Sequence, residues 1–207
     1  MEKQEKLNAL KKELEMANLP LKNSANLVFG EGDINCAVMF VGEAPGFNED
    51  IQKRPFVGRA GQLLDECIKA IGWKRADVYI TNIVKRRPPE NRDPLPEEIE
   101  AYKPYLARQI EIINPKIIAT LGRFSMNYFL PFAKISKDHG KIFEAAGRTI
   151  FPLYHPAAAL RATAVMNELK DDFKKLPDVA AGKPVFKPPV QTPTPKREEK
   201  PLQTKLF

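Results

Sequence analysis

Apolar residues recur along this chain at two different spacings, and the switching between them predicts the architecture. Leu7, Leu10, Leu14 and Ala17 fall at helical intervals, which predicts an amphipathic first helix ending near Pro20. LVFGEG, residues 27–32, reads as extended chain. CAVMFVG, residues 36–42, is apolar throughout, as expected of a strand buried on both faces. GRAGQLLDECIKAIGW returns to helical spacing, with Leu64, Cys67, Ile68 and Ile71 sharing a face. VYITNIV then predicts a strand, PEEIEAYKPYLARQIEIINP a long helix, KIIATLG a strand, RFSMNYFL a short helix and RTIFPLYH a late strand. Strands alternating with helices imply an α/β protein, here a three-layer α/β/α sandwich around a central, mainly parallel sheet over residues 1–176. From Pro177 onward seven of the 31 residues are proline, so 177–207 is expected to be a disordered tail.

Composition changes this picture modestly. The 207 residues are 43% apolar, enough for one core, and carry 33 Lys and Arg against 26 Asp and Glu. The resulting charge of +7 suits a polyanionic partner such as nucleic acid. The opening MEKQEKLNALKKELE is charged and lacks the apolar core of a signal peptide, and no apolar run is long enough to span a bilayer. An intracellular, cytoplasmic protein is expected. Cys36 and Cys67 sit inside apolar patterns and read as buried small hydrophobes, not as a disulfide or metal pair. His139, in KDHGK, reads as an exposed turn residue, and Trp73 as a packing residue at a helix end.

Candidate chemistry follows from the strand ends. Open parallel sheets bind ligands beyond the carboxyl ends of their strands. There lie Gly42-Glu43-Ala44-Pro45-Gly46 after one strand, Asn82 at the end of a second, and His155-Pro156 after a third. Singly these also read as a tight turn, a satisfied strand-end amide and a helix cap. Together they suit a planar ligand: glycines let backbone amides approach, an Asn carboxamide pairs with an amide-like edge, and a His donates to an oxygen gaining negative charge. Phe56, in KRPFVGRAG, offers either a core anchor or a flat face on which a base stacks.

Four segments, GEAPGFNED, RPFVGRAGQLL, YITNIVKRRPPENRDP and HPAAALR, in this order and spacing resemble the uracil-DNA glycosylase superfamily, most closely its family four, from about Leu27 to Leu176. The resemblance implies hydrolysis of the bond between uracil and deoxyribose in DNA, which initiates base excision repair, by an enzyme that rotates the nucleotide into a pocket. Carried over by motif, Phe56 stacks on uracil, Asn82 reads its Watson-Crick edge, and His155 donates to O2. Glu43 stabilises the cation-like sugar and orients water, although many superfamily members place an Asp or Asn where this chain has Ala44. Gly42 and Ala44 belong to the base-binding loop. Glu49 lies near the C5 edge of the base, with Asn91 as its partner. Leu160 and Arg161 enter the DNA helix, and Lys85, Arg86, Arg87 and Arg92 are available for phosphates.

Family-four enzymes hold a [4Fe-4S] cluster on four cysteines. The corresponding positions here are Met16, Leu19, Arg86 and Tyr102, none of which can act as a thiolate ligand, so no cofactor and no metal are expected. Met16, Leu19 and Tyr102 are expected to pack into the vacated space. The last five residues, with Gln203, Leu206 and Phe207 as anchors, resemble the peptide that docks on replication sliding clamps. A monomer with no membrane partner is expected. Two other readings stay open: a glycosylase that also removes hypoxanthine or xanthine, and a catalytically silent nucleic-acid-binding α/β module.

Overall fold

A computed structural model describes residues 2–145 and 147–183. Its strands are β1 (Glu31–Gly32), β2 (Val38–Gly42), β3 (Tyr79–Asn82), β4 (Ile117–Leu121), β5 (Phe143–Ala145) and β6 (Arg148–Leu153). The helices are α1 (Lys3–Met16), α2 (Phe47–Gln52), α3 (Arg59–Ala70), α4 (Pro96–Ile113), α5 (Arg123–Phe129), α6 (Ile135–Asp138), α7 (Pro156–Ala159), α8 (Thr163–Phe173) and α9 (Leu176–Ala180). The strands form one sheet in the order β1-β3-β2-β4-β6-β5. The central four run parallel and the two edge strands antiparallel, so the expected mainly parallel sheet is present.

Alternation along each strand builds two cores. Val38 and Phe40 of β2, Ile80 of β3, Ile117, Ala119 and Leu121 of β4 and Phe151 of β6 pack against α3, α8 and α9 through Leu64, Ile68, Leu169, Phe173 and Leu176. The intervening Met39, Val41, Tyr79, Ile118 and Ile150 face α1 and α4 through Leu10, Leu14, Tyr102, Leu106 and Ile110. A period of two sends successive side chains to opposite faces, which makes three layers from one apolar run. Cys36 and Cys67 are buried and free, and burial pushes both thiols up to about 11. Trp73 packs against the first of these cores, as expected.

Two expectations need correction. Folded chain does not stop at Leu176: α9 spans Leu176–Ala180, and Leu176 and Val179 are buried in the core. Pro177 stands at the start of that helix, where its missing N–H is harmless and its φ is preset, so proline density misread a helix start as a tail. His139 is not an exposed turn residue; its Nδ1 lies 2.6 Å from Asp172 Oδ2, and its ring stacks obliquely on Tyr154. Edge strand β5 was not foreseen, because three residues carry too little pattern. Among the described residues no helix is long and apolar enough to cross a membrane.

Candidate active site

β2, β3, β4 and β6 all end on one edge of the sheet, and a cleft of about 610 Å³ opens there. β3 and β4 pair with opposite sides of β2, so the chain leaves this strand's end in two directions and a crevice remains. Glu43 and Ala44 line it after β2, Asn82 at the end of β3, Arg123 after β4 and His155 after β6. Phe56 and Glu49 complete the wall, so Glu43, Glu49, Phe56, Asn82 and His155 converge although 112 positions separate the first from the last.

Asn82 is 1% exposed, and its side-chain Oδ1 is buried without a hydrogen-bond partner. Such an acceptor costs about 1–3 kcal/mol. Gly42 stands beside it in the register of β2 and β3, and a Cβ on Gly42 would run into both Asn82 Oδ1 and the Phe56 ring, 2.5 Å from its Cζ. Only glycine leaves the carboxamide and the ring their places.

Phe56 adopts φ +50°, a left-handed conformation that a bulky residue rarely accepts. Three contacts hold it there. Glu49 Oε1 accepts from the backbone N–H groups of Val57 and Gly58, at 2.8 and 2.7 Å. Arg75 donates through its guanidinium to the Phe56 carbonyl at 3.2 Å and to the Pro55 carbonyl, while Glu31 and Asp65 fix Arg75 from behind. Gly61 packs its Cα so closely on the Phe56 carbonyl that any side chain there would collide. The ring is thereby set 5.7 Å from the His155 ring, centroid to centroid.

His155 serves as cap and pocket residue at once. It is the N-cap of α7, and its Nδ1 accepts from the Ala157 N–H at 3.1 Å. An acceptor at Nδ1 places the proton of the neutral ring on Nε2. Burial first, and then the Arg161 charge, lower its pKa from 6.5 to about 4, against a smaller opposing pull from Glu49. Near pH 7 the ring is a neutral donor of fixed tautomer. Glu43 moves the other way: burial, reinforced by Asp93, lifts its carboxyl to about 7, with Arg123 opposing. Arg123 and Asp93 pair at 3.4 Å on the same wall.

The basic run after β3 divides. Arg87 is half-buried at the surface, but Lys85 is 0% exposed and donates to Thr81 Oγ1 and Gln109 Oε1, both at 2.6 Å. Burial drives its pKa well below the usual lysine value. Arg86 is 6% exposed and donates to the Ala25 carbonyl at 2.6 Å. The expectation that Lys85 and Arg86 meet phosphates is therefore corrected: both belong to the interior. Arg92 pairs with Glu98 at 2.6 Å and lines the cleft. Asn91 does not partner Glu49; its Oδ1 accepts from Arg87 Nε at 2.6 Å. Leu160 is exposed at the end of α7, and Arg161 lines the cleft beside it. The peptide of Gln203, Leu206 and Phe207 lies outside the described residues.

Residues 29–176 match the profile of the uracil DNA glycosylase superfamily. The chain belongs to this superfamily. It is 50% identical over 167 residues to the type-4 uracil-DNA glycosylase of Sulfurisphaera tokodaii, covering 75% of each chain. It is 44% identical over 171 residues to that of Archaeoglobus fulgidus, covering 78% of this chain and 86% of the relative. With that of Saccharolobus solfataricus it shares 48% over 170 residues, 77% of this chain and 79% of the relative. These similarities support the family-four kinship read from the motifs.

Within this superfamily the four cluster positions of the chain do not fit an iron-sulfur group. Tyr102 donates its hydroxyl to the Pro20 carbonyl at 2.6 Å, and Arg86 holds the Ala25 carbonyl, so two hydrogen bonds tie the segment after α1 to the domain. Leu19 packs partly buried against the second core. Met16 departs from expectation: at 80% exposed it fills nothing, because it ends α1 on the solvent side. The cleft of this chain is also lined by Asp93 and Arg123, which the strand and motif patterns had not singled out. Arg123 stands directly after β4, so the strand-end rule that picked out His155 applied to it equally.

Proposed function

We propose that the chain is a uracil-DNA glycosylase whose cleft receives one uracil rotated out of DNA and hydrolyses its bond to deoxyribose. The observation that carries the reading is the unpartnered Asn82 carboxamide in a cleft walled by Phe56 and a neutral His155. Uracil N3–H supplies the donor that Asn82 Oδ1 lacks, and Asn82 Nδ2 donates to O4. Cytosine presents that edge with donor and acceptor exchanged, which leaves buried groups mispaired at about 1–3 kcal/mol each. Phe56 lies along the ring face. Gly42 and Ala44 leave room at the edge.

As the glycosidic bond lengthens, the base gathers negative charge at O2 and the sugar becomes cation-like. His155 Nε2–H donates to that oxygen without giving up its proton. The Glu43 carboxylate faces the sugar, stabilises its positive charge and orients water. Glu49 braces the Phe56 loop and borders the C5 edge, where it crowds a thymine methyl. Leu160 and Arg161 stand where a wedge enters the vacated helix. Four further readings accompany this one: no iron-sulfur cluster, a monomer, a cytoplasmic enzyme, and a clamp-docking peptide at 203–207. Iron analysis and visible absorption check the first, and clamp co-elution after deleting 203–207 checks the last.

Labelled oligonucleotides carrying U, T, hypoxanthine or xanthine, followed by alkaline cleavage, test the activity. Strand breakage at U alone is expected. Breakage at hypoxanthine or xanthine would favour the broader glycosylase, breakage without alkali a nuclease or lyase, and none at all a silent binding module.

A further inference from the structure

Phe47 opens α2 next to Gly46, which lines the cleft, yet it is 54% exposed and contributes nothing to either core. The Arg87 guanidinium carbon sits 5.1 Å from its ring centroid. Arg87 is held in turn by Asn91 Oδ1 at 2.6 Å, and both Asn91 and the following Pro88 line the cleft. An exposed aromatic face with an arginine on it, placed at the mouth of a base-binding cleft, is poorly explained by folding: it stabilises no buried surface. It matches instead the way single-stranded nucleic acid is held, by a ring for the base and a cation for its phosphate. Ile51, 60% exposed and one turn on, extends the apolar surface, and exposed Lys53 follows it with further positive charge.

We infer that Phe47 and Arg87 form a stacking subsite for a nucleobase of the uracil-bearing strand, adjacent to the nucleotide that is extruded. The subsite rests on the functional reading above but lies outside the uracil pocket. When the uridine leaves the helix, its neighbour loses a stacking partner; Phe47 replaces that partner, and Arg87 neutralises the phosphate between the two nucleotides. Arg87 thus has a use that its buried neighbours Lys85 and Arg86 do not.

The test measures the affinity of the full-length protein for a single-stranded oligonucleotide carrying 2′-fluoro-2′-deoxyuridine in place of deoxyuridine, by fluorescence anisotropy over a range of salt concentrations. Phe47→Ala and Phe47→Leu should weaken binding about 5- to 100-fold without changing the salt dependence. Phe47→Trp should bind as the wild type does. Arg87→Gln should lower the slope of log affinity against log salt by about one. Inhibition of uracil release by free uracil should be the same in all four variants, since neither Phe47 nor Arg87 itself lines the pocket. Equal affinity of Phe47→Ala and wild type would overturn the inference, and so would full affinity in Phe47→Leu, which keeps apolar contact without a flat ring. Wild-type protein that releases no uracil would defeat the functional reading instead, and the affinities would still decide the subsite.

Discussion

Two groups of buried polar side chains meet at β3, one around Thr81 and one around Asn82, and they differ in whether their hydrogen bonds are complete. On the α4 side of the sheet, Lys85 donates to Thr81 and Gln109, Thr81 donates to the Phe29 carbonyl at 2.9 Å, and Gln109 donates to Phe29 and to the Tyr79 hydroxyl at 3.1 and 2.9 Å. At the strand's end, Asn82 leaves an oxygen unpaired beside a carboxyl lifted to about 7 and an imidazole lowered to about 4. The first group is satisfied within the protein and serves the fold. The second leaves Asn82 Oδ1 without a partner in the protein, and the fold sustains its cost.

Substitution should separate the two groups cleanly. The largest effect is expected in the cleft: His155→Ala or Asn82→Ala should lower kcat/KM for uracil release about 100- to 1000-fold while leaving thermal unfolding nearly unchanged. Gln109→Leu should do the reverse. It strips partners from Lys85 and Tyr79, so chemical denaturation should report a loss of roughly 2–4 kcal/mol, with the initial rate at low temperature within about twofold of wild type.

In the proposed mechanism Glu43 joins stability to catalysis through pH. Its folded pKa of about 7 exceeds the ordinary 4.5, so the folded chain keeps a proton that the unfolded chain has already lost. Stability therefore falls as pH rises from 4.5 through 7, by a total on the order of 3 kcal/mol. Glu43→Gln should remove that fall, making the variant the more stable protein at pH 8 but not at pH 4, while it loses uracil release. His155 has the opposite sign: with a folded value near 4, it weakens folding as pH drops below 6.5. Both catalytic forms, carboxylate and neutral imidazole, coexist above pH 7, so kcat/KM should climb to a plateau there.

Smaller effects probe the supports. Arg75→Met frees the Pro55 and Phe56 carbonyls and lets the ring drift from its left-handed conformation, so the Kd for free uracil should rise about 2- to 10-fold in calorimetry. Smallest is a shift of the acid limb of the rate profile. Asp93→Asn removes a negative neighbour of Glu43 and should move that limb to lower pH, whereas Arg123→Gln should move it higher.

Most of the layer order was legible in the sequence because strands buried on both faces and helices with one apolar stripe leave different periodicities. The cleft was legible where its residues follow strands, as with Glu43, Asn82 and His155. Lys85 was not, since its partner Gln109 lies 24 positions away on α4, and a run of three basic residues at a strand end looks like surface until tertiary contacts claim two of them. Arg75 left no local trace for the same reason: it acts on a turn 19 residues upstream. His155 shows that a helix cap and a pocket residue need not compete, because capping α7 through Nδ1 fixes the tautomer and leaves Nε2 as the nitrogen free to donate in a residue that lines the cleft.

The central claim is that Asn82, Phe56 and His155 close around a single pyrimidine. Titrating the isotope-labelled protein with free uracil, and separately with cytosine, while following side-chain NMR signals tests it most directly. Uracil should shift the Asn82 side-chain amide and the His155 Nε2–H, displace the Phe56 ring resonances, and leave the Gln109 amide where it was; cytosine should do none of this at the same concentration. Uracil-induced shifts clustered away from Asn82, or equal responses to both bases, would contradict the account.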